Sequence, residues 1–133
     1  MITISTDKSK LQIETIHQFI TESYWAIGRT KTEVEKTIEH SLCFGVYLNE
    51  KQIGFARIVS DYTVFTYLMD LFILPEYRGN GYSKQLMTYV INYPDLKGCK
   101  VWMLKTSDAQ GLYKQFDYKA VKNPEKVMER LLT

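Results

Sequence analysis

The sequence predicts a mixed α/β fold: a central mixed sheet that begins as an antiparallel meander, ends in a parallel βαβ crossover and carries helices on both faces. Three observations predict it. Residues 42–48, 53–60 and 64–74 are rich in β-branched and aromatic side chains and are separated by short polar stretches, Asn49-Glu50-Lys51 and Asp61-Tyr62, as in strands joined by tight turns. After Pro75 a glycine-containing turn leads directly into residues 83–91, where Leu86, Met87, Val90 and Ile91 recur at helical spacing. Val101-Trp102-Met103-Leu104 is then a compact apolar run typical of a buried parallel strand, and the helix before it supplies the crossover such a strand needs.

The remaining elements follow in chain order. Ile2 and Ile4 alternate with Thr3 and Ser5, a short strand pattern. Ser9-Lys10-Leu11-Gln12 reads as a capping box that opens a helix with Leu11, Ile13, Ile16, Phe19 and Ile20 on its apolar face. Residues 23–28 read as a loop or helix end. A second box, Thr30-Lys31-Thr32-Glu33, opens a short helix in which Val34 and Ile38 lie one turn apart and which ends near His40. The third strand stops at Pro75, which has no N–H for a ladder. The helix after the glycines stops before Pro94. Residues 108–116 are predicted helical, residues 118–121 as a possible returning strand, and residues 124–132 as either a short helix or a last strand around Val127-Met128.

Length and composition narrow the classes. A chain of 133 residues fits a single domain, 1–133, with enough core to fold without disulfides or a structural metal, alone or as a homodimer. Seventeen basic against 15 acidic residues leave a net charge of +2, too little for a nucleic-acid or anionic-lipid footprint. Cys43 and Cys99 stand in no CxxC or Cys/His spacing, so a cytoplasmic location is the expectation. The first residues lack the basic and apolar regions of a signal peptide, and no stretch has the length of a membrane span. His17 and His40 fall on different predicted helices, outside any metal-ligand spacing, and no metal is expected. Cys43 sits in an apolar run without a base nearby in the sequence and is read as core.

The chemistry concentrates at Tyr77-Arg78-Gly79-Asn80-Gly81-Tyr82-Ser83-Lys84. Placed between a strand and a helix, this turn puts unpaired backbone N–H groups at the positive end of a helix dipole, where phosphate binds. Glycines let a diphosphate approach the amides, and Arg78 and Lys84 add charge. A dinucleotide fingerprint would need a third glycine where Lys84 stands, and a Walker loop would need a Gly-Lys-Ser/Thr end. Neither fits. Arg78-Gly79-Asn80-Gly81-Tyr82-Ser83 instead resembles the acetyl-CoA signature of the GNAT superfamily of acyltransferases, Arg/Gln-x-x-Gly-x-Gly/Ala, with Ser83 departing at the last position. Asp70-Leu71-Phe72-Ile73-Leu74-Pro75 resembles the strand that precedes that loop. Thr106 to Tyr113 resembles the family's later helix with its tyrosine, and Asp117 stands where a glycine usually follows.

The resemblance implies the GNAT fold and an N-acetyltransferase that moves the acetyl group of acetyl-CoA directly to a primary amine, by default on a small molecule. It implies that Leu71, Phe72 and Ile73 hold the pantetheine arm through their backbone, that Arg78, Gly79, Asn80, Gly81, Tyr82, Ser83 and Lys84 hold the diphosphate, and that Tyr113 protonates the departing thiolate. Asp70 is the first candidate for the base that takes the amine's proton, or else an ion-pair partner of Arg57. The acceptor pocket is expected between the first two helices, with Tyr24 and Trp25 as aromatic walls and Arg29 suited to a substrate carboxylate. The alternative is a catalytically silent module that binds acyl-CoA as a regulatory signal.

Overall fold

The computed structural model describes residues 1–132. Its elements are β1 (Ile2–Ser5), α1 (Ile13–Thr21), α2 (Lys31–Glu39), β2 (Leu42–Leu48), β3 (Lys51–Ser60), β4 (Phe65–Ile73), α3 (Tyr82–Ile91), β5 (Val101–Met103) and α4 (Gln110–Lys114). The sheet order is β1-β2-β3-β4-β5. The first four strands pair antiparallel in sequence order, and β5 joins β4 in parallel after the α3 crossover.

Alternation along the strands sends side chains to two cores. On one face Phe44, Val46, Ile53, Ile58 and Leu68 meet Leu86, Met87 and Val90 of α3, with Tyr113 of α4 packed among them. On the other face Cys43, Phe55 and Phe72 meet Ile16 and Ile20 of α1 and Val34 and Ile38 of α2. Phe44 and Phe55, one per face, are both fully buried. Truncating either to alanine is expected to cost about 3–5 kcal/mol.

The second capping box forms as expected: Thr30 Oγ1 accepts from the Glu33 N–H at 3.1 Å, and the Glu33 carboxylate accepts from the Thr30 N–H at 2.8 Å. The first does not. Asp7, not Ser9, caps a 3₁₀ turn over Lys8–Lys10, and α1 starts later, from Gln12, which makes no side-chain cap. Gln12 instead cross-links to β3: its N–H donates to Gln52 Oε1 at 2.7 Å, and its own Oε1 accepts from the Gln52 N–H at 3.1 Å. A tertiary contact to the buried Gln52 outweighs the local capping motif.

At the C-terminal side two further expectations are corrected, and of the two alternatives for residues 124–132 the short helix is present only as a single turn. β5 is parallel but lies at the sheet edge, with Val101 43% exposed, so its apolar run is half covered rather than buried. Residues 118–121 form no strand. Pro124–Lys126 is a 3₁₀ turn, and the residues after it are irregular, tied back by a Lys105–Glu129 ion pair. Among the described residues no helix is long and apolar enough to cross a membrane.

Candidate active site

The site begins where β4 loses a neighbour. β5 lies beside β4 only at Phe65, Thr66 and Tyr67, opposite Val101, Trp102 and Met103, while β4 runs on to Ile73. The parallel strands therefore splay, and one edge of β4 beyond Tyr67 is open. On its other edge the register slips: Phe55 faces Phe72 but Arg57 faces Met69, which leaves one extra residue on β4. This is a β-bulge, and Asp70 within it has φ 56°. Aspartate is among the few residues with a Cβ that enter this left-handed region.

Ladder phase decides which main-chain groups reach the opening. The Leu74 N–H donates to the Ile53 carbonyl at 2.8 Å, so by alternation Phe72 turns its N–H and C=O toward β3, while Leu71 and Ile73 turn theirs toward the gap. Of the three residues expected to bind through their backbone, two face the opening. Phe72 contributes packing instead, 3% exposed and stacked on Phe19 with ring centroids 4.2 Å apart.

The glycine turn sits at the far end of the gap. Gly79 and Gly81 have φ of 86° and 77°, and Gly81 is the N-cap of α3. A Cβ at either would meet nothing within 4 Å, so backbone conformation, not crowding, is what requires glycine there. The first helical bond runs from the Gln85 N–H to the Gly81 carbonyl at 3.1 Å. Among the described residues the N–H groups from Gly79 to Lys84 reach no protein acceptor, and a cavity of about 190 Å³ opens against them. Ile73, Tyr77, Arg78, Gly79, Gly81, Tyr82, Ser83 and Lys84 line it. Arg78 is braced by Nε donating to the Ile73 carbonyl at 3.0 Å and lies 6.0 Å from the Phe19 ring centroid. Asn80 turns its side-chain amide back to the Tyr77 carbonyl, which ties the loop to itself. A larger concavity of about 460 Å³ outside β5, lined by Lys97, Lys100, Trp102, Phe116 and Tyr118 among others, shares no residue with this loop.

Behind the bulge, on the α1–α2 face, Asp70 gathers residues far apart in sequence. Its Oδ2 accepts from Arg57 Nε at 2.8 Å and from Arg29 Nη1 at 3.0 Å, and its Oδ1 from Trp25 Nε1 at 2.9 Å. Its side chain is 1% exposed. Three of roughly four acceptor positions on the carboxylate are filled, and solvent does not reach it. Of the two readings of Asp70, the ion pair with Arg57 is present, and the geometry does not offer the free, reachable lone pair of a general base. Arg57 completes its own bonding with Ser41 Oγ at 3.1 Å and Met69 Sδ at 3.3 Å. Trp25 remains 39% exposed, its ring edge-on to Tyr24 at 5.2 Å.

Tyr24 reaches across the opening. Its hydroxyl lies 3.5 Å from Asp108 Oδ1 and accepts from the Ser107 N–H at 3.3 Å, joining the loop after α1 to the loop before α4. Tyr113, on α4, lies just behind. Burial, reinforced by Tyr24 and Asp108, pushes its phenol up to about 12, so it keeps its proton at neutral pH. The turn after α4 closes with the Tyr118 N–H on the Tyr113 carbonyl and the Asp117 N–H on Lys114, a Schellman pattern in which Asp117 takes φ 67°. Aspartate thus serves where a glycine was the expected residue.

Cys43 is buried, and burial pushes its thiol up to about 11, which leaves it a poor nucleophile. His17 does more than the sequence suggested: its Nε2 bonds the Arg29 carbonyl at 3.1 Å and fixes the backbone that presents Arg29. Ser41 and His17 are the participants that sequence reading missed. Neither left a local signal, unlike Arg57, a charge inside an otherwise apolar strand that the sequence reading paired with Asp70.

Comparison with known proteins locates this architecture. The sequence profile described as the acetyltransferase (GNAT) family matches residues 11–118. A relative in Gibberella zeae that carries an acetyltransferase name is 26% identical over 83% of this chain and 74% of its own length. A crystal structure from Xanthomonas campestris pv. campestris, described as belonging to the GNAT family, shares 44% identity over 99% of this chain and 94% of that one, with a TM-score of 0.96. An acetyltransferase structure from Clostridium acetobutylicum, solved with acetyl-CoA, superposes with a TM-score of 0.68 over 98% of this chain and 96% of that one; at 14% identity the likeness is one of fold.

Proposed function

We propose, from the premise that this chain belongs to the GNAT acetyltransferase family, that it transfers the acetyl group of acetyl-CoA to the primary amine of a small molecule. One observation carries this reading: the run of unpaired N–H groups from Gly79 to Lys84 faces a cavity at one end of the β4 opening, and the protonated Tyr113 stands behind the cross-link that spans its mouth. The amides and the α3 dipole suit a diphosphate, with Arg78 and Lys84 adding charge. The open edge of β4 offers the Leu71 main-chain groups and the Ile73 N–H to the amide-bearing pantetheine arm, the Ile73 carbonyl being already engaged by Arg78.

In this reading the amine lone pair attacks the thioester carbonyl carbon and forms a C–N bond. Negative charge gathers on the carbonyl oxygen, where an amide N–H of β4 that is already in place stabilises it with little reorganisation. Collapse breaks the C–S bond, and the thiolate takes the Tyr113 proton. The proton lost by the amine leaves through water at the open face, and Tyr113 is reprotonated from solvent. Asp70 acts as a positioning residue: it holds Arg29 and Trp25 at the acceptor side. Tyr24, Trp25 and Arg29 form that side. The names of the relatives give no support to the silent acyl-CoA-binding alternative.

The test is a thermal shift followed by turnover. Acetyl-CoA at about a hundred times its dissociation constant should add roughly 2.7 kcal/mol of stability. A panel of amines with thiol detection should then show CoA release, and Tyr113→Phe should lower kcat by about 10²-fold with acetyl-CoA binding retained. Absence of both the shift and thiol release refutes the proposal.

A further inference from the structure

We infer, building on the acetyltransferase reading above, that the acceptor carries a carboxylate beside its amine and that Arg29 receives it, so that the substrate class is the small amino acids and related amino-carboxylates. The observation is a charge imbalance at the acceptor side. Two guanidiniums, Arg29 and Arg57, share the single carboxylate of Asp70, and among the described residues no other acid lies within ion-pair distance of either. The cluster therefore keeps one positive charge in a largely buried place, with side-chain exposures of 19% for Arg29, 7% for Arg57 and 1% for Asp70. Glu33 also senses Arg29 through space, outside ion-pair distance. Its carboxylate is exposed and already accepts from the Thr30 N–H.

The two arginines differ in what they leave unused. Arg57 is inward and satisfied by Asp70, Ser41 and Met69. Arg29 spends one Nη1 bond on Asp70, and the rest of its donor fork has no protein partner among the described residues. It is also held ready. His17 binds its carbonyl, its N–H donates to the Ala26 carbonyl at 3.0 Å, and Asp70 fixes its head group. A rigid guanidinium with most of its donors unused, beside exposed aromatic rings, is a receptor for a planar anion, and little order remains to be imposed when the anion arrives. The same charge repels an ammonium that brings no anion with it, which disfavours plain amines. A carboxylate on Arg29 neutralises the cluster and is held close to β4, to which Asp70 ties the arginine.

The test separates this inference from the acetyltransferase reading by using products rather than turnover. N-acetylglycine, N-acetyl-leucine, N-acetyl-phenylalanine and N-acetyl-methionine, each paired with its carboxamide, are titrated into the CoA-loaded protein by calorimetry. At least one acid should bind about 10- to 100-fold more tightly than its amide. Arg29→Gln should erase that ratio, Arg29→Lys should restore part of it, and CoA affinity should stay unchanged in both. Because Asp70 keeps Arg57 as a partner, Arg29→Gln is expected to fold, which circular dichroism checks. Equal binding of acids and amides, no binding of any acid, or a ratio that survives Arg29→Gln overturns the inference. If thiol is nonetheless released with any amine, the transferase reading stands; if acetyl-CoA neither binds nor turns over, that reading fails on its own account.

Discussion

The loop from Tyr77 to Lys84 and the loop from Glu22 to Thr30 both flank β4 but are built by different means. The first is made of main chain: two left-handed glycines and a helix start leave a row of N–H groups bare. The second is made of side chains that reach a strand more than forty residues away, with separations of 41 for Arg29–Asp70 and 45 for Trp25–Asp70. A backbone site tolerates any side chain that permits the conformation, so it serves an invariant ligand fragment such as a diphosphate. A side-chain site changes with each substitution, so it suits a part of the protein that selects among acceptors.

The largest expected effect tests the side-chain loop. Asp70→Ala leaves two guanidiniums without their counter-charge, one of them nearly inaccessible to water, and should destabilise the protein by about 3–5 kcal/mol in urea or thermal unfolding. Asp70→Asn keeps the volume but not the charge and should also destabilise. A general base would behave differently, with stability unchanged and only kcat falling. A stable, inactive Asp70→Asn protein would return the base role to Asp70.

The main-chain loop should break more gently in stability and more sharply in ligand affinity. Gly81→Ala forces a Cβ into φ 77° in otherwise open space, so only the backbone term applies, about 1–2 kcal/mol. The added methyl group also lies at the helix start facing the cavity, and acetyl-CoA affinity should fall by about tenfold or more, a loss of roughly 1.4 kcal/mol in binding. Unchanged calorimetric affinity would move the diphosphate away from this turn.

Legibility in the sequence follows the same division. The second capping box, the three meander strands and the helix after Gly81 each rest on residues within a few positions of one another, and each appears where local chemistry placed it. The Gln12–Gln52 cross-link, the sharing of Asp70 by two arginines and the His17 bond to Arg29 join residues across the sheet and its covering helices, and no local pattern encodes such partners. The half-covered run of β5 escapes the sequence for a related reason: Val-Trp-Met-Leu announces a strand, but whether a strand lies inside or at an edge is decided by what pairs with it later in the chain, and residues 118–121 do not. The bulge at Asp70 was equally silent, since Asp can enter the left-handed region without a glycine to mark it.

A smaller perturbation sharpens the contrast without touching the cluster. Thr30→Ala removes the cap that starts α2 immediately after Arg29, at a cost of about 1 kcal/mol. Because the cap fixes where the acceptor loop re-enters a helix, KM for the amine should rise while KM for acetyl-CoA stays constant. Equal changes in both would mean that the two loops do not act separately.

The smallest expected effect is a limb missing from a pH profile. Tyr113 is the one group in the proposed mechanism whose protonated form is required, and its folded value of about 12 means that the required form begins to decline only near that pH. A free amine acceptor, with an ordinary value of about 10, becomes more reactive as pH rises. kcat/KM should therefore climb with pH across about 7 to 10 and show no descending limb. The sign is diagnostic: loss of a required acid lowers the rate as pH rises, whereas loss of a bound proton from the amine raises it. A fall between about pH 8 and 10 that Tyr113→Phe abolishes would place the tyrosine in a more polar setting than the packed position beside Tyr24 and Asp108, and would require the opening to admit more water there than the cross-link between Tyr24 and Ser107 allows.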